Sequence, residues 1–154
     1  MDAIDRKIIE ALQQNARLTN QELAERVGLS PSPCLRRLRR LEESGVLRGY
    51  TALVDQERYG LPISVFVSIK LERQTDAAIS AFEQAVQDLD EVQECYLMTG
   101  SRDYLLRVVS QSLQSYERFI RERLTRIEGI ASIESSFAFG QVKKNPRLPT
   151  PFSS

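Results

Sequence analysis

The hydrophobic pattern changes its period near residue 62, and this change constrains the fold more than any other feature of the sequence. Before that point, apolar residues recur about every 3.6 positions, as in amphipathic helices. Beyond it, every second residue from Ile63 to Leu71 is aliphatic, as in a half-buried strand. Turn-forming residues, including Gly60 and Pro62, separate the two patterns. We therefore predict an N-terminal helical domain (residues 1–50), a linker (51–62), an α+β domain (63–142) and a C-terminal tail (143–154).

The segment from Ser30 to Gly45 predicts a short helix with a basic outer face. Ser30 is a typical N-cap, and Pro31 suits the first helical position. Gly45 fits the left-handed residue that follows a helix. At helical spacing, one apolar stripe is formed by Cys34, Leu35, Leu38 and Leu41. The opposite side then carries Ser32, Arg36, Arg39 and Arg40, with Arg37 on the flank.

The preceding residues make this helix part of a predicted helix-turn-helix motif. Thr19 and Glu22 have the spacing of a capping box, which opens a helix that Gly28 ends. A first helix, capped by Asp2 and running to about Gln14, completes a three-helix unit. A basic helix face alone is also typical of a solvated surface, but this order of elements favours DNA binding.

The candidate DNA-binding residues lie in the second helix of the motif or at its N-terminal end. They are Ser30, Ser32, Pro33, Arg36, Arg37, Arg39 and Arg40. The first turns of such a helix usually reach base edges, so Ser32, Pro33 and Arg36 are candidates for base contacts. We expect Arg37 and Arg40 to hold phosphates. For Arg39, an ion pair with Glu42 or Glu43 is an alternative to DNA contact.

Beyond the linker, strand and helix patterns follow the order β-α-β-β-α-β. The predicted strands span residues 63–71, 92–99, 103–109 and 130–139, and the predicted helices span 76–89 and 112–127. This order predicts a ferredoxin-like antiparallel sheet with both helices on one face. Phe66 would lie on the uncovered face, which favours its burial between two sheets and hence a homodimer. Upstream, residues 46–54 indicate an extended stretch, either a wing or an arm.

Composition excludes several classes of function. The 154 residues carry no net charge, and residues 1–50 hold an excess of only two positive charges, so DNA binding must come from a local patch. Without histidine, and with Cys34 and Cys95 in separate elements, the sequence lacks Cys–His or Ser–His catalytic pairs and most transition-metal sites. We predict no enzyme, no cofactor and no metal, and we expect both thiols to be free and buried. The sequence shows no signal peptide and no apolar run of membrane length, so we expect a cytoplasmic, nucleoid-associated protein without a membrane partner.

Three stretches of the sequence resemble the Lrp/AsnC family, the "feast/famine" transcription regulators. The first is the opening helix at residues 4–13, and the second combines residues 23–30 with residues 36–47. The third is residues 100–106, which begin with a Gly-x-x-Asp-Tyr sequence at Gly100–Tyr104. Together they follow the order and spacing of the family across nearly the whole chain.

The resemblance implies a winged-type helix-turn-helix joined to a ferredoxin-like, RAM-type domain that binds a small effector, commonly an amino acid. It also implies homodimers that assemble into tetramers or octamers. The effector-binding positions carried over belong to the Gly-x-x-Asp-Tyr turn and the last strand: Gly100, Ser101, Arg102, Asp103, Tyr104, Ser135 and Ser136. Many relatives have an acidic or aromatic pair in place of Ser101 and Arg102. An arginine at that position could pair with Asp103 or attract a carboxylate.

Alternatives remain open for the effector site and for the function. Gly100 and Asp103 would equally suit a plain β-hairpin, with Gly for its backbone angle and Asp for a side-chain hydrogen bond. We predict a sequence-specific transcription regulator that binds double-stranded DNA and responds to a small effector. The alternative is an architectural DNA-binding protein of low sequence specificity.

Overall fold

The chain divides into two compact units in a computed structural model that describes residues 1–151. Unit 1 comprises residues 1–53 and the tail from residue 143, and unit 2 comprises residues 54–142. The last three residues of the predicted tail, 152–154, lie outside the described residues. Over residues 1–151, none of the helices has both the length and the apolar character that a membrane span requires.

Unit 1 is built, within the described residues, from the helices α1 (Ala3–Gln14), α2 (Asn20–Val27) and α3 (Pro31–Glu43). As predicted, Asp2 caps α1, and the Thr19–Glu22 capping box opens α2. Gly28 and Gly45 follow α2 and α3 with φ of 74° and 75°, a left-handed conformation that favours glycine. The predicted helix-turn-helix is therefore present, and local residues account for the start of α2 and for the ends of α2 and α3.

The core of unit 1 fixes which side of α3 faces outward. Ile8 of α1, Leu23 of α2 and Cys34 of α3 are almost completely buried together. Leu41, two turns further along α3, joins this cluster, while Leu38, one turn along, is only partly buried against it. Because the apolar stripe of α3 is held here, its polar residues point away from the core.

Unit 2 has the predicted β-α-β-β-α-β order. Its elements are β1 (Ile63–Leu71), α4 (Asp76–Gln87), β2 (Val92–Leu97), β3 (Tyr104–Ser110), α5 (Leu113–Glu122) and β4 (Ile130–Phe137). In this part of the chain the strands form one antiparallel sheet in the order β2-β3-β1-β4, the ferredoxin-like arrangement. The predicted helix to Ile127 ends earlier, because the chain tightens into a 3₁₀ turn (Leu124–Arg126) that brings Leu124 into the core.

Helices α4 and α5 cover one face of the sheet and leave the other face exposed. Val65, Val67 and Ile69 of β1 are fully buried, together with Phe82 of α4 and Phe119 of α5. Phe66 points to the opposite face and keeps 40% of its surface exposed, as the alternating pattern predicts. We call this second side of the sheet the open face.

The predicted linker and the described part of the tail each make hydrogen bonds to the unit that they belong to. No strand is assigned between residues 46 and 62, but the chain turns tightly where Tyr59 N–H donates to the Asp55 carbonyl (2.9 Å). The side-chain amide of Gln56 then donates a hydrogen bond to Ser64 Oγ (2.9 Å) and so joins this turn to β1. In unit 1, the side chain of Gln13 accepts from the N–H of Leu148 and donates to its carbonyl oxygen. The domain limits given above stay predictions.

Candidate nucleic-acid interface and effector site

The N-terminal end of α3 presents the predicted base-reading residues. Ser32 and Arg36 are exposed and Pro33 is half-buried. Ser30 occupies the N-cap position with an extended backbone, but its side chain makes no capping hydrogen bond. Instead, the start of α3 is tied to α2 by the side chain of Asn20, which donates to the Pro31 carbonyl oxygen at 2.9 Å.

The four arginines of α3 are not equally available. Arg36, Arg39 and Arg40 are exposed as expected, whereas Arg37 is half-buried. Arg37 Nη1 donates to Asp2 at 2.7 Å and to Asp5 at 2.8 Å. Arg40 Nη2 donates to both carboxylate oxygens of Asp5, at 3.1 Å and 2.9 Å. Arg37, which the sequence places on the flank of the basic face, is half-buried because packing of α1 against α3 puts two carboxylates beside it.

Asp2 and Asp5 are the site residues that sequence reasoning missed. Burial of Asp5 raises its pKa, but the Asp2 N–H, the Arg37 hydrogen bond and the Arg40 charge outweigh burial and leave the pKa lowered. The backbone N–H of Asp5, followed by Arg37, lowers the pKa of Asp2 to about 2. Both groups are therefore carboxylates at neutral pH. The available signal was the pair of acidic residues at the N-cap and in the first turn of α1, three positions apart and so on the same side of the helix start.

The alternative partner considered for Arg39 is not used. Within residues 1–151, Arg39 makes no ion pair with Glu42 or Glu43. Glu42 instead accepts a hydrogen bond from the Tyr50 hydroxyl at 2.8 Å. Arg36 also has no ion pair in the described part of the chain, so these two guanidinium groups carry the uncompensated charge of α3.

In unit 2, the hairpin between β2 and β3 is held by Asp103. The Met98 N–H donates to the Asp103 carbonyl oxygen at 2.8 Å, and Gly100 in the turn has φ of 106°. The Asp103 carboxylate accepts from the Leu71 N–H (2.7 Å) through Oδ2 and from the Gln74 side chain (2.7 Å) through Oδ1. Its side chain therefore joins the hairpin to the end of β1, rather than forming a hydrogen bond within the turn.

Arg102 is directed toward the last strand and not toward Asp103. Its guanidinium pairs with Glu134 and donates to Ser132 Oγ at 2.8 Å. Ser132 and Glu134 lie two positions apart on β4, so they share one face of the sheet. A possible pair between Arg102 and Asp103 is thus not formed, because Asp103 is engaged by β1.

The remaining predicted effector residues do not share one surface. Gly100 and Ser101 are exposed in the turn, but Tyr104 is 1% exposed, with its ring 4.5 Å from Phe82 and its hydroxyl donating to Glu83 (2.8 Å). Ser135 is in register with the buried Val67 and hydrogen bonds with the Tyr116 hydroxyl on the helix side. Ser136 is in register with Phe66 and lies on the open face. The two serines therefore point to opposite sides of β4.

Comparison with known proteins defines the family. A model of the "Lrp/AsnC ligand binding domain" matches residues 64–148, which is more than half of the chain, and a "winged helix-turn-helix DNA-binding" model matches residues 1–48. The chain belongs to the Lrp/AsnC family. Helix α3 lies in the part that matches the DNA-binding model, and the hairpin lies in the part that matches the ligand-binding model. The predicted family and α+β fold class are confirmed.

Other Lrp/AsnC-type proteins match the chain over almost its whole length. It is 46% identical over 142 residues to the "Bkd operon transcriptional regulator" of Pseudomonas aeruginosa, covering 92% of this chain and 93% of that protein. It is 41% identical over 148 residues to the "leucine-responsive regulatory protein" of Escherichia coli, covering 96% and 90%. A solved transcriptional regulator from Neisseria meningitidis, in complex with L-Met, matches with a TM-score of 0.89 and 39% identity, covering 97% and 96%. This member of the Lrp/AsnC family is a transcription regulator, as predicted.

Proposed function

We propose that this regulator binds specific sites on double-stranded DNA through α3 and responds to an amino acid bound near the Gly100–Asp103 hairpin. The observation that supports the first part is the pair of exposed, uncompensated guanidinium groups of Arg36 and Arg39 on the outward side of a helix-turn-helix. A guanidinium can donate two parallel hydrogen bonds to guanine O6 and N7 or to a phosphate. Arg36, near the N-terminal end of α3, reads bases, and Arg39 and Arg40 hold phosphates.

The DNA-binding assignment is tested with Arg36→Ala and Arg39→Ala on a selected genomic duplex and on a scrambled one. Arg36→Ala weakens binding to the selected duplex by about 1–3 kcal/mol and has little effect on the scrambled one, because a base contact is lost. Arg39→Ala weakens both alike and lowers the salt slope by about 0.9, because a phosphate contact is lost. Arg40→Ala is a poorer test, since it also removes a partner of the buried Asp5. Unchanged binding in both variants contradicts the assignment, and protection of long unphased tracts favours an architectural protein.

Two observations favour an amino acid as the effector: the names of the relatives and the charged side chains beside the hairpin. One relative is named leucine-responsive, and another was solved with L-Met. Here, Arg102 and Glu134 lie side by side and offer a cation and an anion, the complement of the carboxylate and ammonium of an amino acid. The exposed backbone at Gly100 and Ser101 offers further N–H donors. In this proposal Asp103 and Tyr104 support the hairpin, and Ser135 and Ser136 stay predicted contacts.

The effector is identified by calorimetry of the full chain with each of the twenty amino acids. Arg102→Gln is expected to weaken the best ligand at least about tenfold, or about 1.4 kcal/mol, since a charge-assisted contact is lost. Arg73→Gln is the matched control, because Arg73 is an exposed arginine outside the hairpin. The absence of binding by every amino acid would leave the plain hairpin interpretation, and equal loss in both variants would reject Arg102 as a contact.

The exposed side of the sheet supports a proposal on oligomeric state, and the DNA target supports one on cellular location. The regulator forms a homodimer through the open face of the sheet, and dimers associate into tetramers or octamers. Exposure of Phe66 in the single chain supports this, because a large apolar side chain on a sheet is usually covered. Since its target is chromosomal DNA, the protein works in the cytoplasm, associated with the nucleoid.

A further inference from the structure

The N-cap and first turn of α1 lie against the middle of α3 and bring two carboxylates, Asp2 and Asp5, next to its arginines. We propose that Asp2 and Asp5 determine which arginines of α3 reach DNA: Asp5 orients Arg40, and Asp2 helps to hold Arg37 away from phosphates. The pair thereby lowers non-specific affinity and raises sequence specificity. This inference rests on DNA binding by α3, as proposed above.

Arg37 is held in place through one nitrogen. Its Nη1 donates to Asp2 Oδ2 (2.7 Å) and to Asp5 Oδ1 (2.8 Å), which uses both hydrogens on that atom. A DNA phosphate would have to compete with two carboxylates that already make the same kind of charge-assisted hydrogen bond. Arg37 also presents less of its side chain to solvent than Arg40 does, 26% against 63%, so it is less accessible to a phosphate.

Asp5 is the buried centre of the cluster that Asp2, Asp5, Arg37 and Arg40 form. Its side chain is 1% exposed and accepts hydrogen bonds from Arg37, from Arg40 and from the Asp2 N–H. A buried carboxylate stripped of its partners is strongly unfavourable, so the arginines stay with it. Arg40 nevertheless keeps 63% of its side chain exposed, because only Nη2 is used. Asp5 is therefore a positioning residue that orients Arg40 and leaves its other donors free for DNA.

The charges of the cluster cancel, and this affects two modes of DNA binding differently. Asp2 and Asp5 together offset two of the four positive charges that the arginines of α3 carry, although Arg40 itself stays exposed. Non-specific affinity depends on how many cations replace counterions on phosphates, whereas a base contact by Arg36 does not. Cancelling two charges thus weakens non-specific binding in particular and increases the ratio of specific to non-specific affinity.

Asp2→Asn tests this with little change to the fold. Asparagine is as good an N-cap as aspartate, and Oδ1 can still accept from the N–H groups of Ile4 and Asp5. The variant loses the anionic acceptor that faces Arg37. We expect tighter binding to a scrambled duplex, with a salt slope steeper by about 0.9 for each protomer in contact. Affinity for the selected duplex rises less, so the specificity ratio falls.

Glu10→Gln is the matched control, since it removes the same charge from an exposed position on the same helix. In an Arg37→Gln background, Asp2→Asn should have no further effect on the salt slope. If Asp2→Asn changes binding no more than Glu10→Gln does, or if its effect persists without Arg37, the inference is overturned.

Arg37→Gln gives an independent result that does not depend on the behaviour of Asp2→Asn. We expect its salt slope to stay near that of the wild type, whereas Arg39→Gln lowers the slope by about 0.9. An equal decrease in both variants shows that Arg37 contacts phosphate and overturns the inference. Failure of the wild-type chain to bind any duplex would instead reject the proposed function.

Discussion

At the scale of single residues, Asp2 should make unit 1 sensitive to acid. The Asp5 N–H and then Arg37 lower the pKa of Asp2 to about 2 from an ordinary value of 3.8. Because the folded pKa is the lower one, ionised Asp2 stabilises the fold fully above about pH 4, and that stabilisation is lost as the pH falls through the folded pKa. We expect Asp2→Asn to lose less stability than the wild type over this range, measured by urea unfolding. An NMR titration in which Asp2 has its ordinary pKa would contradict this.

The same residues show where prediction from sequence stops. Cys34, Leu38 and Leu41 indicated the inner side of α3, because helical spacing alone determines which residues share a face. The partner of Arg37 could not be found in this way, since Asp5 lies 32 positions earlier in the chain. Local pattern gives the direction of a side chain, whereas its ion pairs depend on how separate helices pack.

At the scale of elements, the starts of helices and the alternation of strands were predictable, but some ends and motif roles were not. The start of α2 follows from the capping box that Thr19 opens. Strand β1 follows from the alternation of its apolar residues with a period of two. The early end of α5 depends on burial of Leu124 in the core. Tyr104 follows the Gly-x-x-Asp sequence, yet it lies inside the sheet core because β3 begins there and its first residue points inward.

The hairpin between β2 and β3 gives a prediction at this scale. Asp103→Ala removes the acceptor of the Leu71 N–H and of Gln74, so it should destabilise unit 2 by about 1–3 kcal/mol, the cost of a buried donor left without a partner. Hydrogen exchange at the Leu71 amide should become faster. Ser101→Ala, at an exposed position of the same turn, should leave this amide unchanged. Slow exchange at Leu71 in Asp103→Ala would show that Asp103 does not hold the hairpin to β1.

At the scale of the whole molecule, the open face of the sheet determines the expected assembly. Phe66 keeps 40% of its surface exposed, so covering it adds about 1 kcal/mol of apolar burial per protomer. A two-fold interface contains each contact twice, so a substitution there counts twice. Phe66→Glu also places a carboxylate in the interface, and its desolvation is a further cost to association. We therefore expect Phe66→Glu to weaken dimerisation by at least tenfold, measured as the dissociation constant by analytical ultracentrifugation.

A matched variant separates loss of the interface from a general effect of an added charge. Leu113→Glu makes the same kind of change at an exposed apolar residue, 57% accessible, at the start of α5 on the helix side. A carboxylate is favourable near a helix N-terminus, so this variant should fold and keep the dimer. If Phe66→Glu remains as dimeric as Leu113→Glu, the open face is not the interface. Weaker DNA binding in Phe66→Glu alone would follow from the dimer, because two linked helix-turn-helix units bind paired half-sites more tightly than one unit does.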